Sequence, residues 1–346
     1  MVQALVTEPG YAHTTRVEDV PAVEAREGEV LLRTLEVGVC GTDREISEGH
    51  FGAPPVDKPL LVLGHESLAA VERDGYGFTR GQLVTAIVRR SCGHCLACAE
   101  ESPDSCLTGD YRERGIMRLD GYDRELVAED PAQLVAIPKS LGRLSVLAEP
   151  TSICERALRH SRTIGGRQPW QLERALVIGA GAIGLLTTYL LRLADVEVTT
   201  ASLEPENDLV EQSGAHYVST RDTELSSLGK FDLVIEAAGN AQLMAESLGL
   251  LRRSGVACLL GIDPRQQTVE LDGPVLGVDT ILENRVLLGS VNARRQDWLA
   301  AVADLEMVRR RWSEALEQFV TLRVPLDRFA EAFEHRAGKA TLVLSD

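Results

Sequence analysis

Apolar and polar positions follow two different rhythms along the chain. Over the first 150 residues, short runs of β type alternate with Gly and Pro, as at 29–35, 60–63 and 82–88. From about residue 174, near-continuous apolar runs appear at 175–178, 196–198, 231–235, 256–260 and 286–288, with helical periodicity between them at 183–193 and 241–251. Strand and helix in alternation, with strands apolar throughout, predict a doubly wound parallel sheet buried on both faces. The polar stretch 161–173, with Gly165, Gly166 and Pro169, reads as a hinge, and after Asn292 the chain turns helical before a last strand-like run at 341–344. No internal repeat or low-complexity tract interrupts this order.

At 346 residues the chain suits two domains rather than one core. Hydrophobic content of 44% and charged content of 25% are those of an ordinary soluble globular protein. No apolar run is long enough to span a bilayer, and the N-terminal sequence has no basic stretch leading into an apolar one, so the expected address is the cytoplasm. A net charge of -16 argues against a nucleic-acid or anionic-membrane partner.

The cysteines change the picture. There are seven, and four form Cys92-x2-Cys95-x2-Cys98-x7-Cys106. Thiolates this close on irregular chain can converge on one tetrahedral Zn²⁺, and with all four positions filled that zinc would be structural. A second set is dispersed: Cys40-Gly-Thr42-Asp43, Gly64-His65-Glu66 and Ala148-Glu149-Pro150. A Cys, a His and a carboxylate can build a zinc site with an open position, as catalysis requires. Third, Gly179-Ala-Gly181-Ala182-Ile183-Gly184 closes an apolar strand and opens a helix, the context that makes a glycine fingerprint a dinucleotide site. Gly179 suits the tight turn, Gly181 the approach of a pyrophosphate, and Gly184 close helix–sheet packing. His94 reads as a loop residue, and Cys154 and Cys258 read as buried small hydrophobes.

In this order the motifs resemble the medium-chain zinc alcohol dehydrogenases across the whole chain. Cys40-Gly-Thr-Asp-Arg-Glu45, Leu61-Val-Leu-Gly-His-Glu66, Val88-Arg-Arg90, Glu113-Arg-Gly-Ile116 and Gly289-Ser-Val-Asn292 narrow the likeness to the aldose (glucose) 1-dehydrogenase branch. The resemblance implies an α/β chain: a Rossmann doubly wound domain over 161–292, and a mainly β GroES-like catalytic domain over 1–160 plus 293–346 that carries the structural zinc lobe. It implies two Zn²⁺ per chain, with Cys40, His65 and Glu149 as catalytic ligands. Glu66 would enter the zinc shell or contact substrate, and which of Glu66 and Glu149 is the resting ligand stays open. Thr42 would relay the substrate proton, and Glu113 and Asn292 would contact sugar or cofactor. Ala182, Ile183, Ala238, Leu260, Gly261 and Ile262 would line the cofactor groove.

NADP-using relatives end the second Rossmann strand in arginines. Here the chain reads Ser202-Leu203-Glu204, and a carboxylate about twenty residues past the fingerprint suits the ribose hydroxyls of NAD. NAD is therefore expected as the preferred cofactor, with NADP left open. The implied reaction is oxidation of a small polyhydroxy substrate, hydride passing from C1 of an aldose to nicotinamide to give the lactone. A polyol, cyclitol or aminocyclitol dehydrogenase is the alternative. A non-catalytic zinc and cofactor binding protein is disfavoured, since it needs no open-site ligand set beside a dinucleotide fingerprint; a zinc-free quinone reductase likewise needs no such ligand set. The family further implies a homo-oligomer, dimer or tetramer.

Overall fold

The computed structural model of the chain describes residues 1–265 and 267–345, and strands, helices and partners are counted among these described residues. Two compact units emerge. One comprises 1–152, 292–306 and 319–346; the other comprises 153–291 and 307–318.

The first unit is built on mixed, mainly antiparallel sheet. Its longest strand, Val30–Val39, pairs with Glu66–Val71 along one side and with Leu126–Glu129 and Lys339–Val343 along the other. Residues 30–35 of that strand alternate between buried and half-buried, and 36–39 are buried without interruption. Val30, Leu32, Val37, Val71 and Tyr122 form its core. Glu36 is fully buried there but satisfied, its carboxylate accepting from Thr341, Arg323 and Arg143.

The second unit is a six-stranded parallel sheet among the described residues. Numbered within the unit, its order is 3-2-1-4-5-6: His216–Ser219, Glu197–Ser202, Arg174–Ile178, Phe231–Glu236, Leu251–Leu259, Val286–Gly289. This is the doubly wound dinucleotide-binding order, with its switch point between the first and fourth strands. Leu176, Ile178, Phe231, Val234 and Leu251 fill the sheet face. That continuous burial explains why these strands read as apolar runs rather than alternations.

Two expectations are corrected. The stretch 161–173 is not a hinge along its length, because helix Ala148–Gly165 runs through its first five residues. Buried Ala157, Leu158, Ser161 and Gly165 continue one helical face, and Gly165 lies flat against the Trp170 ring. The expected bounds 161–292 put Asn292 at the close of the Rossmann domain, and it does not lie there. The last strand of that domain stops at Gly289, and Asn292 belongs to the first unit, in a left-handed turn at φ 64° that asparagine tolerates. Among the described residues, no helix is long and apolar enough to cross a membrane.

Candidate functional site

The dispersed set converges because three chain segments meet at one end of strand Val30–Val39. That strand runs directly into Cys40, which caps helix Gly41–Ser47. Asp43 completes the cap, its Oδ2 accepting from the Cys40 N–H at 2.8 Å. Strand Glu66–Val71 starts opposite Gly38, which puts His65 beside Cys40: Sγ and Nε2 are 3.2 Å apart. A tetrahedral zinc with ordinary arms would set that edge at about 3.5 Å. The other His65 nitrogen, Nδ1, faces Asp43 Oδ1 at 3.4 Å, an ion-pair distance at which neither atom makes a hydrogen bond.

Cys40, His65 and Glu66 carry ligand atoms all within 4.8 Å of one another. Glu149, second residue of helix Ala148–Gly165, is buried but lies outside that tight group. Glu66 is already engaged. Both its oxygens accept from Lys339 Nζ, at 2.6 and 2.5 Å, and the two side chains are almost wholly buried. Strand pairing explains the contact. Glu66 sits opposite Gly38 on one side of the central strand, and Lys339 precedes Ala340, which sits opposite Val39 on the other. The pair reaches across Gly38, where a Cβ would stand 2.0 Å from Glu66 Oε2 and would push that carboxylate out of place.

Charge in the pocket is crowded and negative. Burial and then Glu66 push Glu149 up to about 7. Burial, then Asp43, raises the Cys40 thiol. Burial opposes protonation of His65, but Cys40 and Asp43 outweigh it and hold its pKa well above the ordinary value. A thiol, an imidazole and a buried carboxyl, Glu149, that resists ionising beside Glu66 form a donor set suited to a divalent cation, which would relieve the repulsion.

The four-cysteine lobe is equally well formed. The Sγ atoms of Cys92, Cys95, Cys98 and Cys106 all lie within 4.8 Å of one another, and Cys95 and Cys106 are 3.9 Å apart. A zinc tetrahedron of four thiolates has edges of about 3.8 Å. Backbone N–H groups already point at sulfur, Cys95 N at Cys92 Sγ and Cys98 N at Cys95 Sγ, both at 3.4 Å. The His94 N–H and the Thr108 hydroxyl hold Cys92 down at about 5, while burial pushes Cys98 up to about 11. All seven cysteines are free thiols; His94 is exposed, and Cys154 and Cys258 are fully buried.

The structure brings Glu113 and Asn292 together. Both are buried, and Glu113 Oε1 accepts from Asn292 Nδ2 at 2.6 Å and from Arg89 Nε at 2.9 Å. Arg89 in turn lies over the Tyr111 ring at 3.9 Å. Glu113 Oε2 has no protein partner among the described residues. Thr42 is half-buried beside Cys40, its N–H directed at Cys40 Sγ at 3.2 Å.

In the second unit the fingerprint follows the first strand. Gly179 has φ 104°, and Gly181 caps helix Ala182–Leu193. A Cβ on Gly184 would stand 1.8 Å from the Gly179 carbonyl, whereas one on Gly181 would meet nothing within 4 Å. Space is thus absent where helix meets strand and open where a pyrophosphate would approach, so the cradle fits a dinucleotide. Ala238 follows the fourth strand, and Leu260, Gly261 and Ile262 follow the fifth, at the carboxyl ends of both. Ser202 ends the second strand, its hydroxyl bonded to the Glu204 carboxylate.

Comparison with known proteins decides the family. Residues 26–139 match the alcohol dehydrogenase GroES-like domain, and residues 142–345 match the glucose dehydrogenase C-terminus. A glucose 1-dehydrogenase of Methanocella arvoryzae is 36% identical, over 96% of both chains. One from Caldivirga maquilingensis is 38% identical, over 96% of this chain and 95% of that one. The chain belongs to the zinc-type medium-chain glucose dehydrogenases. Among solved structures, Haloferax mediterranei glucose dehydrogenase in complex with NADP, Zn and gluconolactone superposes with a TM-score of 0.90, at 31% identity and 99% coverage of each chain.

Family membership leaves three side chains that sequence reading passed over. Lys339 is one of only four lysines and opens an otherwise apolar strand, which was the available signal. Asp43 stood inside a quoted motif, but its contact with His65 needs the fold. Glu236 is fully buried at the end of the fourth strand, and its Oε1 accepts from the N–H groups of Ala238 and Asn240. It shapes the turn that sequence had assigned to the cofactor groove.

Proposed function

We propose that this glucose dehydrogenase oxidises an aldose at C1, with Cys40, His65 and Glu149 holding the catalytic zinc and NAD as the preferred acceptor. The observation that carries the reading is the close, part-buried Cys40–His65 pair among carboxylates, one of which, Glu66, is already neutralised by Lys339. Among the described residues Glu149 has no such ion pair, and it is the carboxylate left to complete a cation site. Zinc, when bound, supplies Lewis acidity that lowers the pKa of a coordinated hydroxyl. Nicotinamide, when bound, accepts the hydride.

The chain's own residues do the remaining work. The substrate gives up a hydride from C1 and the proton of its C1 hydroxyl, leaving the lactone carbonyl. Thr42 Oγ1 takes that proton on its way out. Asp43 keeps the His65 ring in one orientation. Glu113 and Asn292, already bonded to each other, present the free Glu113 Oε2 to sugar hydroxyls. Glu204, at the end of the second strand, accepts from the ribose hydroxyls and disfavours a phosphate there, which supports the preference for NAD. In the four-cysteine lobe, Cys92, Cys95, Cys98 and Cys106 would hold a second zinc that ties the lobe together.

A simple alcohol would leave Glu113 and its neighbours unpaired, at a cost of about 1–3 kcal/mol for each group. A panel of aldoses, polyols and butanol, read by nicotinamide absorbance, tests this. Glucose or another aldose should turn over at least about 100-fold better than butanol, and Glu113→Ala should lower kcat/KM for the sugar with both zincs retained. Equal rates on butanol and glucose, or faster oxidation of a polyol, would overturn the aldose reading.

A further inference from the structure

We propose that Arg89 is the positioning residue of the sugar subsite: it loads one oxygen of Glu113 and so holds the other bare for a substrate hydroxyl. The inference rests on the aldose reading above and deepens it.

The arrangement starts from a short antiparallel pairing. Strand Arg89–Arg90 lies against strand Arg112–Arg114, with Arg89 directly opposite Glu113. Residues opposite each other on neighbouring strands project from the same face, and the residues next to them project from the other. Two charge systems separate accordingly. Arg89 Nε donates to Glu113 Oε1 at 2.9 Å, whereas Arg90 and Arg114 both turn to Glu129 Oε2, at 2.8 and 2.9 Å. Arg89 and Glu113 are 6% and 5% exposed, so bulk water screens neither charge and each depends on the other.

A guanidinium facing a carboxylate frequently forks onto both of its oxygens. Arg89 does not. Its Nη1 is drawn instead to the Asp104 carbonyl at 3.0 Å, and its guanidinium carbon lies 3.9 Å from the centre of the Tyr111 ring. Asp104 and Tyr111 flank Cys106, so the lobe itself fixes the arginine. Asn292 then adds a second donor to the oxygen that Arg89 already holds, Nδ2 to Oε1 at 2.6 Å. Oε1 thus takes both protein donors, and Oε2 takes none among the described residues. A buried carboxylate satisfied on one side only keeps acceptor capacity for a ligand hydroxyl. Arg89 therefore acts through Glu113 and not on the sugar. Lysine would keep the charge, but it lacks the rigid fork that spans Oε1 and the Asp104 carbonyl.

Steady-state kinetics of the full-length, zinc-loaded chain on glucose and its 2-, 3- and 4-deoxy analogues tests this, together with metal analysis. Arg89→Lys should raise KM for glucose about tenfold, with kcat changed by less than about threefold, KM for NAD by less than about twofold, and both zincs retained. One deoxy sugar should already bind wild type weakly, and on that sugar alone Arg89→Lys should add less than about twofold. Arg89→Met combined with Glu113→Ala asks the same question without leaving a buried charge unpaired. The double variant should match Glu113→Ala in glucose KM within about twofold, because nothing remains to be positioned. The proposal is overturned if Arg89→Lys leaves glucose KM unchanged, raises KM by one factor on every sugar of the panel, or sheds the lobe zinc, since Arg89 would then serve the lobe and not Glu113. A double variant much worse than Glu113→Ala overturns it equally. If Glu113→Ala itself leaves glucose KM unchanged, the sugar-pocket reading fails and the proposal falls with it.

Discussion

The two metal-ligand sets of the first unit make opposite demands on the chain. The four cysteines lie within fifteen residues and need only one short helix turn and a few N–H···S contacts to converge. Cys40, His65, Glu66 and Glu149 span more than a hundred residues and meet only because separate strands and helices end at one place. The first set is all sulfur, held by N–H···S contacts within its own loop. The second is buried, mixes ligand types, and is flanked by Asp43 and Lys339, which orient or neutralise its members. A structural site can be written locally, whereas a catalytic one needs the tertiary fold, both to hold the ligands and to leave one position open.

Substitutions should separate the two sets, and the largest effect is expected at the lobe. Structural zinc contributes on the order of 10 kcal/mol of folding free energy, so Cys95→Ser should lose one zinc and lower Tm sharply. His65→Ala should also lose one zinc but keep Tm within a few degrees, with kcat/KM falling on the order of 10³-fold as Lewis-acid stabilisation disappears. Metal analysis with thermal unfolding reads both. If the two variants behave alike, the division into structural and catalytic sites is wrong.

A smaller effect is expected one step further out. Asp43→Asn keeps the shape of the helix cap but removes the charge facing His65 Nδ1. Orienting partners of this kind are worth about 10–100-fold in metal affinity or activity. Zinc affinity by competition with a chelator should fall by that amount at the Cys40 site and stay unchanged at the four-cysteine lobe. An effect on both sites would mean that Asp43 supports the fold at large rather than one ligand.

The same contrast explains what could be read from the sequence. The lobe, the glycine fingerprint and the alternating strands are local patterns, so their residue types and spacing were enough. The ligands Cys40 and His65 were legible through their motifs, but their 3.2 Å approach was not. Lys339 stood out as a rare lysine at a strand start, but its partner did not, because the contact depends on two strands flanking Gly38 from opposite sides. The helix through 161–165 was read as hinge because its polar residues and glycines masked a buried face. That face is visible only once Ala157, Leu158 and Trp170 are placed.

The central claim is hydride transfer from C1 of an aldose, and glucose deuterated at C1 tests it most directly. With wild-type, zinc-loaded protein and NAD, the label should appear at C4 of the reduced nicotinamide, a lactone should accumulate in equal amount, and kcat/KM should be lower than with unlabelled sugar. Reduced nicotinamide that carries no deuterium, or label transferred only from sugar deuterated at another carbon, would contradict the account.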